Sequence, residues 1–157
     1  MLKFCVKWKM LVIDATDCVM GRLASYVAKK ALNGEEVIVV NAEKSIISGK
    51  RKSIIEEELK KLEIRNLGNP RKGPFHQKRP DRYLRRVIRG MLPYKQPRGR
   101  EAFRRIQVYI GVPEKEIERR HNIKLKDVKI ISLEEAKKKF ENYIRLGELC
   151  KAIGGKW

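Results

Sequence analysis

Cysteine and histidine are scarce in this 157-residue chain, and carboxylates are outnumbered two to one by Lys and Arg. The three cysteines (Cys5, Cys18 and Cys150) stand far apart, are odd in number and form no Cys-x-x-Cys pair, which excludes a disulfide framework and a zinc ribbon. The two histidines, His76 and His121, have no partner at ligand spacing, so no metal and no cofactor are expected. No apolar run approaches the roughly 20 residues that cross a bilayer, so no membrane-spanning segment is expected and, with nucleic acid preferred on the motifs below, no membrane partner. The opening MLKFCVKWKM has neither a continuous apolar core nor a small-residue cleavage site, so a cytoplasmic location is expected. Only 19 Asp and Glu stand against 38 Lys and Arg, giving a net charge of +19. Such an excess is self-repelling and is normally tolerated where a polyanion neutralises it. Nucleic acid is the first partner this composition suggests and an acidic membrane surface the second. With 42% hydrophobic residues the chain still has the means to build a core.

The excess charge is concentrated. Residues 71–105 carry thirteen Lys and Arg against two carboxylates, Asp81 and Glu101, and so hold more than half of the net charge. A merely solvated surface would spread it evenly and intersperse carboxylates.

Around that segment the pattern is that of a folded α/β protein. MLVIDA (10–15) and VIVVNA (37–42) are short, β-rich runs of continuous apolar character, as expected of strands covered on both faces. Between them a helix starting near Asp17 puts Leu23, Val27 and Ala31 on one stripe and stops at Asn33-Gly34. Strand, helix and strand at this spacing predict a right-handed βαβ unit. Ser48 is positioned to cap a second helix to about Leu67, with Ile55, Leu59 and Leu62 on one face and Glu56/Lys60 and Glu57/Lys61 as i,i+4 pairs. Gly68, Pro70, Gly73 and Pro74 break regular structure, and Pro80 suits the first position of a third helix ending before Pro93. Leu84, Val87, Ile88, Met91 and Leu92 form its apolar face, with Arg82, Arg85, Arg86 and Arg89 largely opposite. A short helix at 100–105 leads to IQVYIG, read as a strand. Beyond Pro113 the pattern weakens: KLKDVKIIS reads as extended, and Ser132-x-x-Glu135 is a capping-box signal for a helix to about Leu146.

Motifs for catalysis are weak. The turn ATDCVMGRLAS has Gly21 alone where a dinucleotide fold needs Gly-x-Gly-x-x-Gly. SGKRKS (48–53) lacks the earlier glycine and the Ser or Thr of a phosphate loop, and reads as a helix start whose basic side chains would welcome an anion. Asp14, at the end of a strand, has no triad partner, and a turn or capping role suits both it and Asp17. Cys18 near a helix start reads as a buried structural thiol. The strongest signal is NPRKGPFHQKRPDRYLRRVIRGMLPYKQPRGR (69–100). Its Pro and Gly hold an exposed loop, its arginines match phosphate bidentately, and Phe75, His76 and Tyr94 offer flat faces to unstacked bases; Tyr83 and Phe103 read as core. Charge, with the flat faces of Phe75 and His76, thus selects as nucleic-acid contacts Lys50, Arg51 and Lys52 at the second helix start, and Arg71, Lys72, Phe75, His76, Lys78 and Arg79 in the loop. On the third helix it selects Arg82, Arg85, Arg86 and Arg89, and after it Lys95, Arg98, Arg100, Arg104 and Arg105.

Three stretches carry a family resemblance: VIDATDCVMGRLAS (12–25), VIVVNAEKSIISGK (37–50) and RVIRGMLPYKQPRGREAFRRIQVYIGVP (86–113). In these the chain resembles the universal large-subunit ribosomal protein family numbered thirteen, and GPFHQKRP with the short Gly34–Val37 turn resembles its archaeal form. Arg89, Gly90, Met91, Leu92, Pro93, Gly99 and Arg100 match the signature. The resemblance implies a three-layer α/β/α domain around a small, mainly parallel four-stranded sheet, with a basic loop-helix extension and a C-terminal helix. It also implies a structural, non-enzymatic place on large-subunit ribosomal RNA, often early in assembly, beside neighbouring large-subunit proteins and with no small-molecule substrate. Residues 1–9 read as an N-terminal extension, 10–113 as the domain with its basic segment 71–105, and 114–157 as a C-terminal extension matching the family only loosely. Two rival functions, a DNA-binding chromosomal protein and an RNA-acting enzyme using Asp14, lack a recognisable DNA-binding module and a catalytic partner respectively.

Overall fold

The computed structural model describes residues 10–121, 130–138 and 140–157. Strand β1 (Met10–Asp14), helix α1 (Met20–Leu32) and strand β2 (Glu36–Val40) form the expected βαβ unit, with β1 and β2 parallel and Met10 opposite Glu36. Leu23, Val27 and Ala31 are fully buried, and α1 ends at Asn33 with Gly34 at φ +94°. The start of α1 differs from expectation. Asp17 sits in the left-handed region at φ 57°, Val19 occupies the N-cap position without a side-chain cap, and Asp17 instead pairs with Arg145 at 3.5 Å.

A 3-10 turn at Ala42–Lys44 leads into β3 (Ile46–Ser48) and then helix α2 (Arg51–Glu63). Ser48 is therefore not the cap of α2. It is paired as a strand residue with Tyr143, and the helix begins three residues later behind Lys50. The helix stops at Glu63 rather than near Leu67 because Ile64 turns extended. Among the described residues its internal ion pair is Glu58–Lys61 at i,i+3 in place of the two expected i,i+4 pairs, and Leu59 stays 43% exposed while Ile54, Ile55 and Leu62 face inward.

Pro80 is the first residue of α3 (Pro80–Gly90), as its spacing predicts, and α4 (Pro97–Arg104) leads into β4 (Ile106–Val108). Past Pro113 lies an unanticipated helix, α5 (Glu114–His121), whose one buried side chain is Ile117. The segment KLKDVKIIS falls partly outside the described residues, but its end forms β5 (Ile130–Ser132). No capping-box helix follows. The Ser132 hydroxyl bonds the Glu134 carboxylate at 3.3 Å, residues Glu134–Ala136 make one 3-10 turn, and the C-terminal helix comes later, as α6 (Leu146–Ala152) behind β6 (Tyr143–Arg145).

The main sheet has the order β4-β2-β1-β5, with every neighbouring pair parallel; β3 and β6 make a separate antiparallel ribbon. Alternate strand residues supply opposite layers. Leu11, Ile13, Val37, Val39 and Ile106 pack against α1, α3 and α4, while Val12, Ile38 and Val40 meet Tyr109 and Ile117 of α5 on the other face. This two-sided burial accounts for the continuous apolar runs. A third cluster, Ile144, Leu149 and Ile153, joins the ribbon and α6 to the inner side of α2 and to Tyr83.

Candidate nucleic-acid interface

The basic segment begins where α2 ends. The loop is tied back to α2 by His76, whose Nε2 lies 3.1 Å from the Ile64 carbonyl oxygen, and a 3-10 turn at Pro70–Lys72 shapes its middle. Arg71, Lys72, Phe75, Lys78 and Arg79 are exposed, Phe75 to 64%. Arg79 precedes α3 with its Nε 3.3 Å from Asp81 Oδ1, an ion pair without hydrogen-bond alignment.

Helix α3 is anchored by Leu84 and Ile88, both fully buried, and its four arginines divide into two kinds. Arg82 and Arg86 are exposed and have no ion-pair partner among the described residues. Arg85 and Arg89 are half-buried and stack on aromatic rings: the Arg85 guanidinium lies 4.6 Å from the Phe103 centroid and that of Arg89 5.1 Å from Tyr94. Tyr94 and Phe103 meet edge to face at 5.4 Å and 88°. The result is a ladder, Arg85–Phe103–Tyr94–Arg89, that joins α3, the following turn and α4 through cation–π contacts. Burial pushes the Arg85 guanidinium down from its ordinary value against the opposing pull of Asp81, and its Nε has no hydrogen-bond partner among the described residues.

The turn between α3 and α4 is tight. Tyr94 N–H donates to the Leu92 carbonyl at 2.7 Å, Gln96 N–H to Pro93 at 2.9 Å, and Arg100 Nη2 to Lys95 at 3.0 Å. A Cβ on Gly99 would stand 2.1 Å from the Pro93 carbonyl oxygen, so only glycine lets α4 butt against this turn. Lys95, Arg98, Arg100 and Arg104 are exposed around it. Arg105 is half-buried, with Nη1 3.4 Å from the Ala31 carbonyl and Nη2 3.9 Å from Glu101. At the start of α2, Lys50 and Lys52 are exposed and Arg51 pairs with Glu148 at 3.1 Å.

The structure thus sorts the candidate cations. One group (Arg79, Arg85, Arg89, Arg100, Arg105 and Arg51) is engaged with the protein itself; another, with Arg82, Arg86, Lys95 and Arg98 at its centre, presents its charge outward. Lys29 of α1 lines one cleft with Met91 and Arg98, so the cationic surface continues onto α1. Sequence reading passed over Lys29 because a lysine in the last turn of a helix is already explained by the helix dipole.

The catalytic alternative finds no support in the geometry. The Asp14 carboxylate accepts from Thr16 N–H at 3.0 Å, Thr16 Oγ1 at 2.7 Å and Asn41 Nδ2 at 2.9 Å, tying the end of β1 to that of β2. Burial alone would raise its pKa, but these bonds and the nearby Lys44 outweigh it and hold the group below the ordinary carboxylate value. Such a carboxylate is a poor proton acceptor. Cys18 and Cys150 are buried free thiols, both pushed up by burial, Cys150 to about 12, and are unreactive on that account. Among the described residues no group of three or more His, Cys, Asp or Glu could hold a metal ion, and no helix is long and apolar enough to cross a membrane.

These features define a class: a basic, three-layer α/β protein whose cations are gathered on one loop-helix-turn segment. The particular family follows from comparison with known proteins. The family model described as ribosomal protein L13 matches residues 8–115, and the chain belongs to that family. It is 48% identical over 150 residues to the large ribosomal subunit protein uL13 of Methanocaldococcus jannaschii, covering 94% of this chain and 100% of that one. To the protein of the same name from Methanococcus maripaludis it is 44% identical over 149 residues, again 94% and 100%. To that of Methanopyrus kandleri it is 46% identical over 143 residues, 91% of this chain and 86% of the other. These three relatives are archaeal, in keeping with the resemblance of GPFHQKRP.

Proposed function

We propose that this protein is a structural constituent of the large ribosomal subunit, working on the cytoplasmic ribosome in support of translation rather than as an enzyme. It binds and braces ribosomal RNA, joins the subunit early in assembly, and lies against neighbouring large-subunit proteins. The observation that carries the reading is the pairing of family membership with the basic segment, where thirteen Lys and Arg stand against two carboxylates on an otherwise ordinary α/β body. Phosphates contacted by Arg82, Arg86, Lys95, Arg98 and their neighbours would release condensed counterions, which drives association. Recognition rests on shape and phosphate geometry, with unpaired bases contributing locally. The exposed residues of the loop, Arg71, Lys72, Phe75 and Lys78, extend the same surface, and β5, β6 and α6 supply sheet and core contacts to the body that carries it.

The test is sedimentation of a lysate through a sucrose gradient at low salt. Co-migration of the chain with large subunits, and its release by high salt, is the expected result. A chain found at the top of the gradient under both conditions overturns the proposal.

A further inference from the structure

Beside the aromatic ladder lies a cleft of about 520 Å³ lined by Arg89, Gly90, Leu92, Pro93, Tyr94 and Lys95, a volume within the range of small-ligand sites. Three observations make it more than a surface dent. Tyr94 is 40% exposed, yet its ring is fixed from two sides by Arg89 and Phe103. Its backbone is fixed too, by the Leu92 and Pro93 carbonyls and by the abutting Gly99. A flat, immobile ring of this kind costs little conformational entropy on binding. Gly90, on the cleft wall, is the last residue of α3, at negative φ, and a Cβ there would meet nothing within 4 Å. Neither its backbone conformation nor its packing inside the molecule calls for glycine. Its use there leaves the backbone open to close approach from outside. The only charged side chains on the cleft, Arg89 and Lys95, are cations.

We propose that this cleft takes one unpaired nucleotide of RNA, its base stacked on Tyr94 and its phosphate held by Lys95, with Gly90 giving the ribose-phosphate backbone room to pass. The inference rests on the RNA-binding reading and adds a specific element to it: a defined cleft that takes one extruded base. Tyr94 and Gly90 act here as ligand contacts, whereas Arg85 and Phe103 are positioning residues that hold the ring.

The test uses the full chain and two RNA hairpins, each closed by a non-nucleotide linker in place of a loop, that differ only in a single bulged 2-aminopurine, present in one and absent from the fully paired other. Wild-type protein should bind the bulged hairpin roughly tenfold more tightly, the scale of one base–aromatic stack, and quench its 2-aminopurine fluorescence. Tyr94→Leu should abolish both the preference and the quench; Tyr94→Phe should keep both. Gly90→Val should lose the preference as Tyr94→Leu does, with an unchanged thermal midpoint. Equal wild-type affinity for the two hairpins, or an equal loss on both with Tyr94→Leu, overturns the inference and leaves the broader reading standing. Wild-type protein that binds neither hairpin at low salt overturns both.

Discussion

Helices α2 and α3 adjoin across one cleft and each carries four Lys or Arg, yet they are built on opposite plans. In α2 four glutamates balance the cations, no side chain is buried, and attachment rests on three partly covered apolar residues. In α3 Asp81 is the sole carboxylate against four arginines, while Pro80, Leu84 and Ile88 are buried in the body of the protein. The helix that bears the uncompensated charge is the one with the firm anchor. A helix held only at its surface, as α2 is, would respond to crowded cations by fraying or shifting; one held by a core can keep its arginines in place. The ladder of Arg85, Phe103, Tyr94 and Arg89 adds to that rigidity by converting part of the charge into packing.

This contrast can be broken or sharpened experimentally. The largest effect belongs to the anchor. Ile88→Ala should cost about 2–5 kcal/mol of unfolding free energy, as expected for a large-to-small change at a fully buried site, and would be read in urea titrations. Gly99→Ala comes next. Its added methyl collides with the Pro93–Tyr94 peptide and should cost about 1–3 kcal/mol by overpacking, with a matching loss of affinity for RNA because the turn bearing Tyr94 and Lys95 is displaced.

Asp14→Ala should cost on the order of 1–3 kcal/mol at neutral pH, since it strips the Asn41 and Thr16 donors of their acceptor. The folded-state pKa of Asp14 is lowered, so its ionisation stabilises the protein above the ordinary value of about 3.9 and that contribution is lost as pH falls through the folded value. The gap between wild type and Asp14→Ala should therefore narrow in acid; a gap independent of pH would show that the carboxylate charge is not what holds the strand ends. Smallest of all, Leu59→Ala on the outer side of α2 should change stability by no more than about 0.5 kcal/mol. A loss as large as that of Ile88→Ala would erase the distinction between the two helices.

The parts legible in the sequence were those governed by local chemistry. The βαβ unit follows from apolar continuity and the Asn33-Gly34 stop, and α3 from Pro80 and the spacing of Leu84 and Ile88. What escaped was set by distant partners. Ser48 carries a good capping side chain, but pairing with Tyr143, far along the chain, claims it for a strand. Ser132-x-x-Glu135 satisfies the capping-box pattern, but Lys137 bridges back to Cys18 and the chain cannot coil there. Helix α5 buries one residue of eight, too little periodicity to register. Within the interface, sequence counted the arginines but could not distinguish the stacked pair, Arg85 and Arg89, from the outward pair, Arg82 and Arg86, because that distinction depends on where Phe103 and Tyr94 fall in space.

The most direct measurement is the salt dependence of affinity for a large-subunit ribosomal RNA transcript, compared between wild type and Arg82→Ala/Arg86→Ala. Both side chains are exposed, so the variant should fold normally. If each neutralises a phosphate, the slope of log affinity against log salt should become shallower by about 2. An unchanged slope in the folded double variant would contradict the claim that the outward arginines of α3 face RNA.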